Sequence, residues 1–256
     1  MPFHPIAPEK LSNAVVRQIE TLILRGVLKP GERLPAERDL AEQLSVSRPS
    51  LREAIGKLQD QGLVEIRAGA GAFIADVLGS AFSPALVQLF ARNDEAVFDY
   101  ISFRRDIEGL AAERAATQGT DPDLLVVQTL FDKMEVAHGK RAPDEEARLD
   151  AEFHMAIIEA SHNVVMLHMM RSMYELLREG VFYNRQIMFK QRTTRVALLD
   201  QHRAINSALQ ARDGPAARRA VEAHMDYVET SWRENLRAEA HAEVAQQRLS
   251  QIRMRK

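Results

Sequence analysis

Residues 35–75 read PAERDLAEQLSVSRPSLREAIGKLQDQGLVEIRAGAGAFIA, and the way this stretch divides decides the N-terminal fold. Leu40, Ala41 and Leu44 recur at helical spacing behind Pro35, which predicts a short helix over 35–44. Ser45-Val46-Ser47 then turns the chain, and Ser47 is placed to cap a second helix from Arg48 to Gln61. That helix turns Leu51, Ala54, Ile55 and Leu58 inward, and Gly62 stops it by taking a left-handed conformation. Val64 and Ile66 next alternate with polar neighbours, Gly69 and Gly71 allow a tight turn, and Phe73 and Ile74 return as a hairpin. Upstream, Leu11, Val15, Ile19, Leu22 and Ile23 space a helix over 9–25, closed by Gly26 and the turn Lys29-Pro30-Gly31. Helix, helix, turn, helix and hairpin make a winged helix-turn-helix over 9–75.

Outward from this unit, DVLGSAFSP (76–84) reads as a linker. Beyond it the periodicity is helical throughout, with helices expected near 85–91, 95–118, 121–138, 144–160, 163–190, 193–211 and 214–245. The breaks fall at Gly119-Thr120-Asp121-Pro122, Ala142-Pro143-Asp144, Ser161-His162-Asn163 and Asp213-Gly214-Pro215. The expected fold is mainly α: a winged helix-turn-helix with a small β-hairpin wing, followed by an all-α bundle over 85–235. A polar tail, 236–256, is expected to fray at its end.

Composition narrows the function classes. The chain is 46% hydrophobic and 27% charged with a net charge of −2, an ordinary soluble balance that gives no global sign of nucleic acid. It has no cysteine, which excludes disulfides and thiolate metal sites and suits a reducing cytoplasm. No apolar run approaches the roughly 18–20 residues that span a bilayer, and MPFHPIAPEK lacks the pattern of a signal peptide.

Any DNA-binding surface must therefore be local. Arg38 lies on the first helix of the helix-turn-helix pair, and Arg48 and Arg52 open the second, four residues apart on one face. A recognition helix presents this end to base edges, where arginine can donate bidentately to guanine. Ser47 and Ser50 stand where a helix N-terminus could hold phosphate, and Arg67 and Gly69 lie at the wing. The segment GVLKPGERLPAERDLAEQLSVSRPSLREAIGKLQDQGLVEIRAGAGAFI resembles the winged helix-turn-helix of the GntR transcription regulators, through Pro30-Gly31, Leu34-Pro35, Glu37-Arg38, Ser47-Arg48, Leu51-Arg52-Glu53-Ala54 and Gly69-x-Gly71-x-Phe73. The resemblance implies that Arg38 and Arg48 contact backbone or bases, that Arg52 reads bases, and that Gly69 lets the wing tip enter the minor groove. Ala68, Ala70 and Ala72 depart from wings with a polar tip, so this wing is expected to add little specificity.

The histidines carry the second signal. In LDAEFHMAI (149–157), Asp150 and His154 stand one turn apart beside the stripe of Leu149, Phe153 and Ile157. His202 falls on the stripe of Leu198, Leu199, Ile205 and Leu209, and His224 on that of Val221, Val228 and Trp232. Four inward N and O groups from three helices are either satisfied core residues or ligands of a divalent metal, and spacing alone leaves both readings open. His4, His138 and His241 read as surface residues, and His162 as part of a helix connection.

Residues 85–232 resemble the FCD effector domain of the FadR-type branch of GntR regulators. In its metal-binding members an Asp and a His one turn apart, then a His on each of two later helices, are the ligands. The resemblance therefore implies metal at Asp150, His154, His202 and His224, with Zn²⁺, Ni²⁺, Mn²⁺ or Fe²⁺ all compatible with such donors. It also implies a cytoplasmic homodimer on a pseudo-palindromic operator, most naturally a repressor and not an enzyme, answering to a small organic acid. FDYISFRRDIEGLAAERAA (98–116) and AEFHMAIIEASHNVVMLHMM (151–170) look most like regulators of lactate, glycolate and pyruvate use. Arg104 matches the FCD arginine facing the effector pocket, with Glu108 as the competing internal partner. A metal sensor and, more remotely, a metalloenzyme are the alternatives.

Overall fold

Ser12, Val15, Val16, Ile19 and Ile23 form the buried face of α1 (Leu11–Leu24), at the spacing of an amphipathic helix. They pack against Leu51, Ala54 and Leu58 of α3 (Arg48–Asp60), which are at most 1% exposed. Ser47 caps α3 as expected, its Oγ accepting from Ser50 N at 3.3 Å. Gly62 follows with φ 73°, the left-handed turn that favours glycine. The hairpin pairs β1 (Val64–Arg67) with β2 (Gly71–Ile74) in antiparallel register, Val64 opposite Ile74 and Arg67 opposite Gly71.

The helix α2 spans Glu37–Gln43 and so begins two residues later than the sequence suggests. The cause is the segment before it, which is extended along the free edge of β2. Leu34 N donates to Ala72 O at 2.9 Å, Ile74 N donates to Glu32 O at 2.9 Å, and Arg33 bridges Phe73. Pro35 thus links a strand edge to a helix instead of opening the helix.

The computed structural model describes residues 10–76, 84–90, 93–178 and 192–254, and the chain divides into two compact units, Met1–Ala81 and Phe82–Lys256. The described part of the second unit is helical: α4 (Pro84–Phe90), α5 (Asp94–Gln118), α6 (Asp121–Lys140), α7 (Pro143–Ala160), α8 (Val164–Arg178), α9 (Arg192–Gln210) and α10 (Gly214–Met254). Asn93 caps α5 by accepting from Glu95 N at 3.0 Å. Thr120 and Asp123 form a reciprocal capping box that starts α6.

α5 is the central helix and packs against α7, α9 and α10. Its Ala111, Ala112, Ala115 and Ala116 are fully buried. Gly109 lies over Arg218 and Glu222 of α10, while Gly214 lies over Glu113 and Thr117, so the two helices run antiparallel at close range. The seam of small residues sets the distance at which α10 delivers its side chains to the interior.

Three expectations need correction or fall outside these residues. The last helix does not stop near 245; it continues to Met254, so the segment 236–254 is helix with an exposed surface. Pro84 belongs to α4, and 77–83 of the expected linker lie outside the described residues. The same holds for 179–190 of the helix expected over 163–190.

The packing of α5 yields a paired expectation. A Cβ on Gly109 meets only flexible side-chain atoms at 3.4–3.6 Å, so Gly109→Ala gains helix propensity of roughly 0.5–1 kcal/mol. A Cβ on Gly119 would stand 2.5 Å from Ala115 O, a backbone atom that cannot yield, so Gly119→Ala is destabilising by more than about 1 kcal/mol. Urea midpoints of the two variants should move in opposite directions; a shift of the same sign in both would contradict this packing.

Candidate metal centre and DNA-reading face

Asp150 and His154 come from α7, His202 from α9 and His224 from α10, and all four are at most 5% exposed. Each helix turns them inward with its apolar stripe: Phe153 and Ile157 beside His154, Leu198 and Ile205 beside His202, Val221 and Val228 beside His224. His202 Nε2 lies 3.1 Å from Asp150 Oδ1 and 3.2 Å from His154 Nε2, and His154 Nε2 lies 3.8 Å from Asp150 Oδ1. One ligand atom from each of the four falls within 4.8 Å of all the others. The sequence reading of these residues therefore meets a single cluster.

The outer nitrogens say which protons the rings carry. His154 Nδ1 is 2.7 Å from Glu108 Oε2. His224 Nδ1 is 2.9 Å from Gln201 Oε1. A carboxylate and an amide oxygen only accept, so the proton of each ring belongs on Nδ1 and the Nε2 lone pair faces the cluster. His202 Nδ1 has no hydrogen-bond partner among the described residues.

The acceptors that converge here are balanced either by a proton on His202 Nε2, 3.1 Å from Asp150 Oδ1, or by a cation among them. Donors sharing an ion with bonds of about 2.1 Å sit roughly 3.0–3.4 Å apart at tetrahedral or adjacent octahedral angles. The separations of 3.1 and 3.2 Å from His202 Nε2 match that spacing, while the 3.8 Å between His154 Nε2 and Asp150 Oδ1 is wider. The buried Asp and three His can hold a divalent metal.

Arg104 and Glu108 stand behind this group on α5, 1% and 2% exposed. Arg104 Nε donates to Glu108 Oε1 at 2.6 Å and Nη2 donates to Oε2 at 3.3 Å. Burial alone would raise the Glu108 carboxyl, but the Arg104 charge and then His154 outweigh it and hold it well below the usual carboxylate range. Arg104, expected to face an effector, is thus engaged by the internal partner.

Sequence reasoning missed a second buried pair. Arg195 on α9 donates from Nε to Glu146 Oε1 and Oε2 at 3.0 and 3.1 Å, and from Nη2 to His138 O at 3.0 Å. Glu146 stands one turn before Asp150, and Arg195 two turns before His202, so the pair ties α7 to α9 next to the cluster. His138 is correspondingly not a plain surface residue, since its Nδ1 lies 3.3 Å from Glu146 Oε2.

In the first unit, Arg48 and Arg52 lie side by side and exposed at the start of α3. Both donate from Nε to Glu37 of α2, Arg48 to Oε1 and Arg52 to Oε2, each at 2.8 Å. Arg38 is 83% exposed and contacts Asp39 at 3.1 Å. Ser47 Oγ and Ser50 Oγ are 2.9 Å apart at the helix start. In the wing, Arg67 lies over the Phe73 ring at 4.3 Å, and Gly69, with φ 73°, has open space around it.

The chain matches the family model of bacterial regulatory proteins, gntR family, over residues 11–74, and that of the FCD domain over residues 99–227. It is 37% identical over 88% of each chain to a protein of Escherichia coli (strain K12) named, provisionally, as the L-lactate dehydrogenase operon regulatory protein. It is 33% identical, over 84% of this chain and 86% of the other, to the Glc operon transcriptional activator of the same organism. Among solved structures, Streptococcus agalactiae GntR aligns with a TM-score of 0.53 at 27% identity, over 86% of this chain and 99% of that one. No helix among the described residues is long and apolar enough to cross a membrane.

Burial of the imidazoles makes the metal-free domain sensitive to acid. Burial lowers His154 against the opposing pull of Glu108, and burial followed by His202 and His154 holds His224 well below the ordinary 6.5. As pH drops from about 6.5 the unfolded chain takes up protons that the folded chain resists, so folded stability decreases. The melting temperature of metal-free protein should fall between about pH 7 and pH 5.5, and less steeply in His224→Asn. A fall of equal steepness in that variant would show that His224 is not held neutral by burial.

Proposed function

As a member of the GntR family of bacterial transcription regulators with an FCD domain, the chain is a DNA-binding transcription regulator, and we propose that its helical unit binds a divalent metal at Asp150, His154, His202 and His224 together with a small carboxylate effector. The observation that supports the metal is the convergence of four buried donors: Asp150 Oδ1 and the Nε2 atoms of His154 and His202 face one another, one donor atom of each of the four residues lies within 4.8 Å of the others, and Glu108 and Gln201 lie beside the outer nitrogens of His154 and His224. Four N and O donors suit Zn²⁺, Ni²⁺, Mn²⁺ or Fe²⁺. The ion supplies an electrophilic anchor for the oxygens of an acid.

The protein's part is to orient and to balance charge. Asp150 and the three histidines hold the ion, and Glu108 and Gln201 fix the rings. Arg104, buried beside them with its charge shared by Glu108, supplies the positive end that a carboxylate requires. Two such points of attraction favour short 2-hydroxy and 2-keto acids, in keeping with relatives named for lactate and Glc operons. The regulator acts as a homodimer on a pseudo-palindromic operator, and the acid biases it toward release with a coupling of roughly 1–3 kcal/mol.

On the DNA side, Arg52 and Arg48 meet bases and Ser47, Ser50 and Arg38 meet the backbone, with Arg67 and Gly69 of the wing beside them. Base contacts specify and phosphate contacts position. Arg52→Ala should therefore lose sequence preference, while Arg38→Ala weakens specific and random duplexes alike. Equal loss on both kinds of duplex in Arg52→Ala would move base reading elsewhere.

The metal and the acid are tested together by elemental analysis and calorimetry. Purified protein should carry about one ion per chain, and chelation should lower its melting temperature, since free ion at a hundred times its Kd stabilises by about 2.7 kcal/mol. His202→Ala should lose the ion and keep its helical signal. Lactate, glycolate or pyruvate should bind the metal-loaded protein and not the chelated one. Equal binding to both would remove the ion from effector recognition, and DNA binding switched by metal with no acid present would make the protein a metal sensor.

A further inference from the structure

α3 begins with two arginines and no acidic residue in its first turn. Positive side chains at a helix N-terminus oppose the helix dipole, and Arg48 and Arg52, one turn apart, also repel each other. The first turn of α3 holds no carboxylate to offset this. The compensation comes from α2, eleven and fifteen residues away in sequence, through the Glu37 carboxylate.

The way Glu37 is used matters as much as its charge. One oxygen accepts from Arg48 Nε and the other from Arg52 Nε, both at 2.8 Å. Neither guanidinium has another hydrogen-bond or ion-pair partner among the described residues, so the Nη1–Nη2 edge of each stays available, at 57% and 64% side-chain exposure. That edge is the pair of donors that can fork onto the O6 and N7 acceptors of guanine. A single carboxylate therefore ties down the inner edge of both arginines and leaves both outer edges presented.

Glu37 is itself held from two sides. Leu40 and Ala41 of α2 pack into the core of the first unit. Just before Glu37, Leu34 N is bonded to Ala72 O of the wing, and Arg33 is bridged to Phe73. The wing therefore locates Glu37, and Glu37 locates the arginines.

We infer that Glu37 is a positioning residue for base reading: it fixes the Arg48 and Arg52 forks before DNA arrives and lowers the attraction of this face for any duplex regardless of sequence. The inference rests on the assignment of Arg48 and Arg52 to the bases. Two effects of opposite sign follow when the carboxylate is removed. The face gains net positive charge, which strengthens binding to phosphate of any sequence. Both arginines regain rotamer freedom and must be ordered at binding, which weakens the specific complex.

The test uses the full-length protein and duplexes that it enriches from a randomised pool, against random-sequence duplex of the same length. Glu37→Ala and Glu37→Gln should bind random duplex more tightly than the parent, yet bind the enriched duplex less tightly. The ratio of the two affinities should fall by about tenfold, the cost of freeing one to two long side chains. Equal weakening on both duplexes would mean that Glu37 is merely structural, and equal strengthening that it is merely a repelling charge; either overturns the inference. Arg52→Ala is run beside them. If it leaves the ratio unchanged, the base-reading assignment itself has failed; if it lowers the ratio while both Glu37 variants keep it, only the positioning role has failed. Enrichment of no sequence by the parent would also overturn the inference, because no base reading would exist to be ordered.

Discussion

Glu108 is an ionised carboxylate in the interior of the helical unit, and the rest of that interior is arranged around it. Burying a charge is tolerated only where partners surround it, and here they are Arg104 one turn earlier and His154 across from it on α7. Because Glu108 can only accept, it places the proton of His154 on Nδ1 and turns Nε2 toward Asp150 and His202. Gln201 does the same for His224 from within α9. The four-residue cluster is thus defined twice, by the helices that carry it and by the acceptors behind it. The distance from α5 to α10 completes the arrangement, and it depends on Gly214 and the buried alanines.

The first unit uses the same device at its surface. There Glu37 stands between Arg48 and Arg52 as Glu108 stands between Arg104 and His154, but exposure changes what the carboxylate does. In water the pairs add little to stability. Their contribution is geometric: two flexible side chains are confined to one face at one spacing. A buried carboxylate orders a cluster of imidazoles, and an exposed one orders a pair of arginines.

Features generated by local spacing were legible in the sequence. Helix periodicity placed His154, His202 and His224 on inward stripes, the Ser47 cap was visible in its position before Arg48, and glycines marked the hairpin. What escaped was set by pairing between distant segments. Glu37 looks like a first-turn acidic residue until α3 folds beside it, and the bond from Leu34 to the wing, which delays the start of α2, joins residues 38 apart in sequence. Glu146 and Arg195 belong to different helices and no motif marks them. The length of α10 escaped for another reason: residues 236–254 lack a buried stripe, and good helix formers such as Ala, Glu, Gln and Arg carry the helix on. For Arg104 the sequence offered two partners, an effector and Glu108; Glu108 is bonded to it in the fold, and the effector contact stands as a proposal.

The central claim is that the four buried donors are metal ligands and not a core hydrogen-bond network. X-ray absorption at the edge of the bound metal tests it most directly on protein purified without added chelator. Ligation by Asp150, His154, His202 and His224 gives a shell of nitrogen and oxygen at about 2.0–2.2 Å with the outer-shell scattering of imidazole rings. A protein that carries no ion, or an ion whose spectrum lacks imidazole scattering, would contradict it.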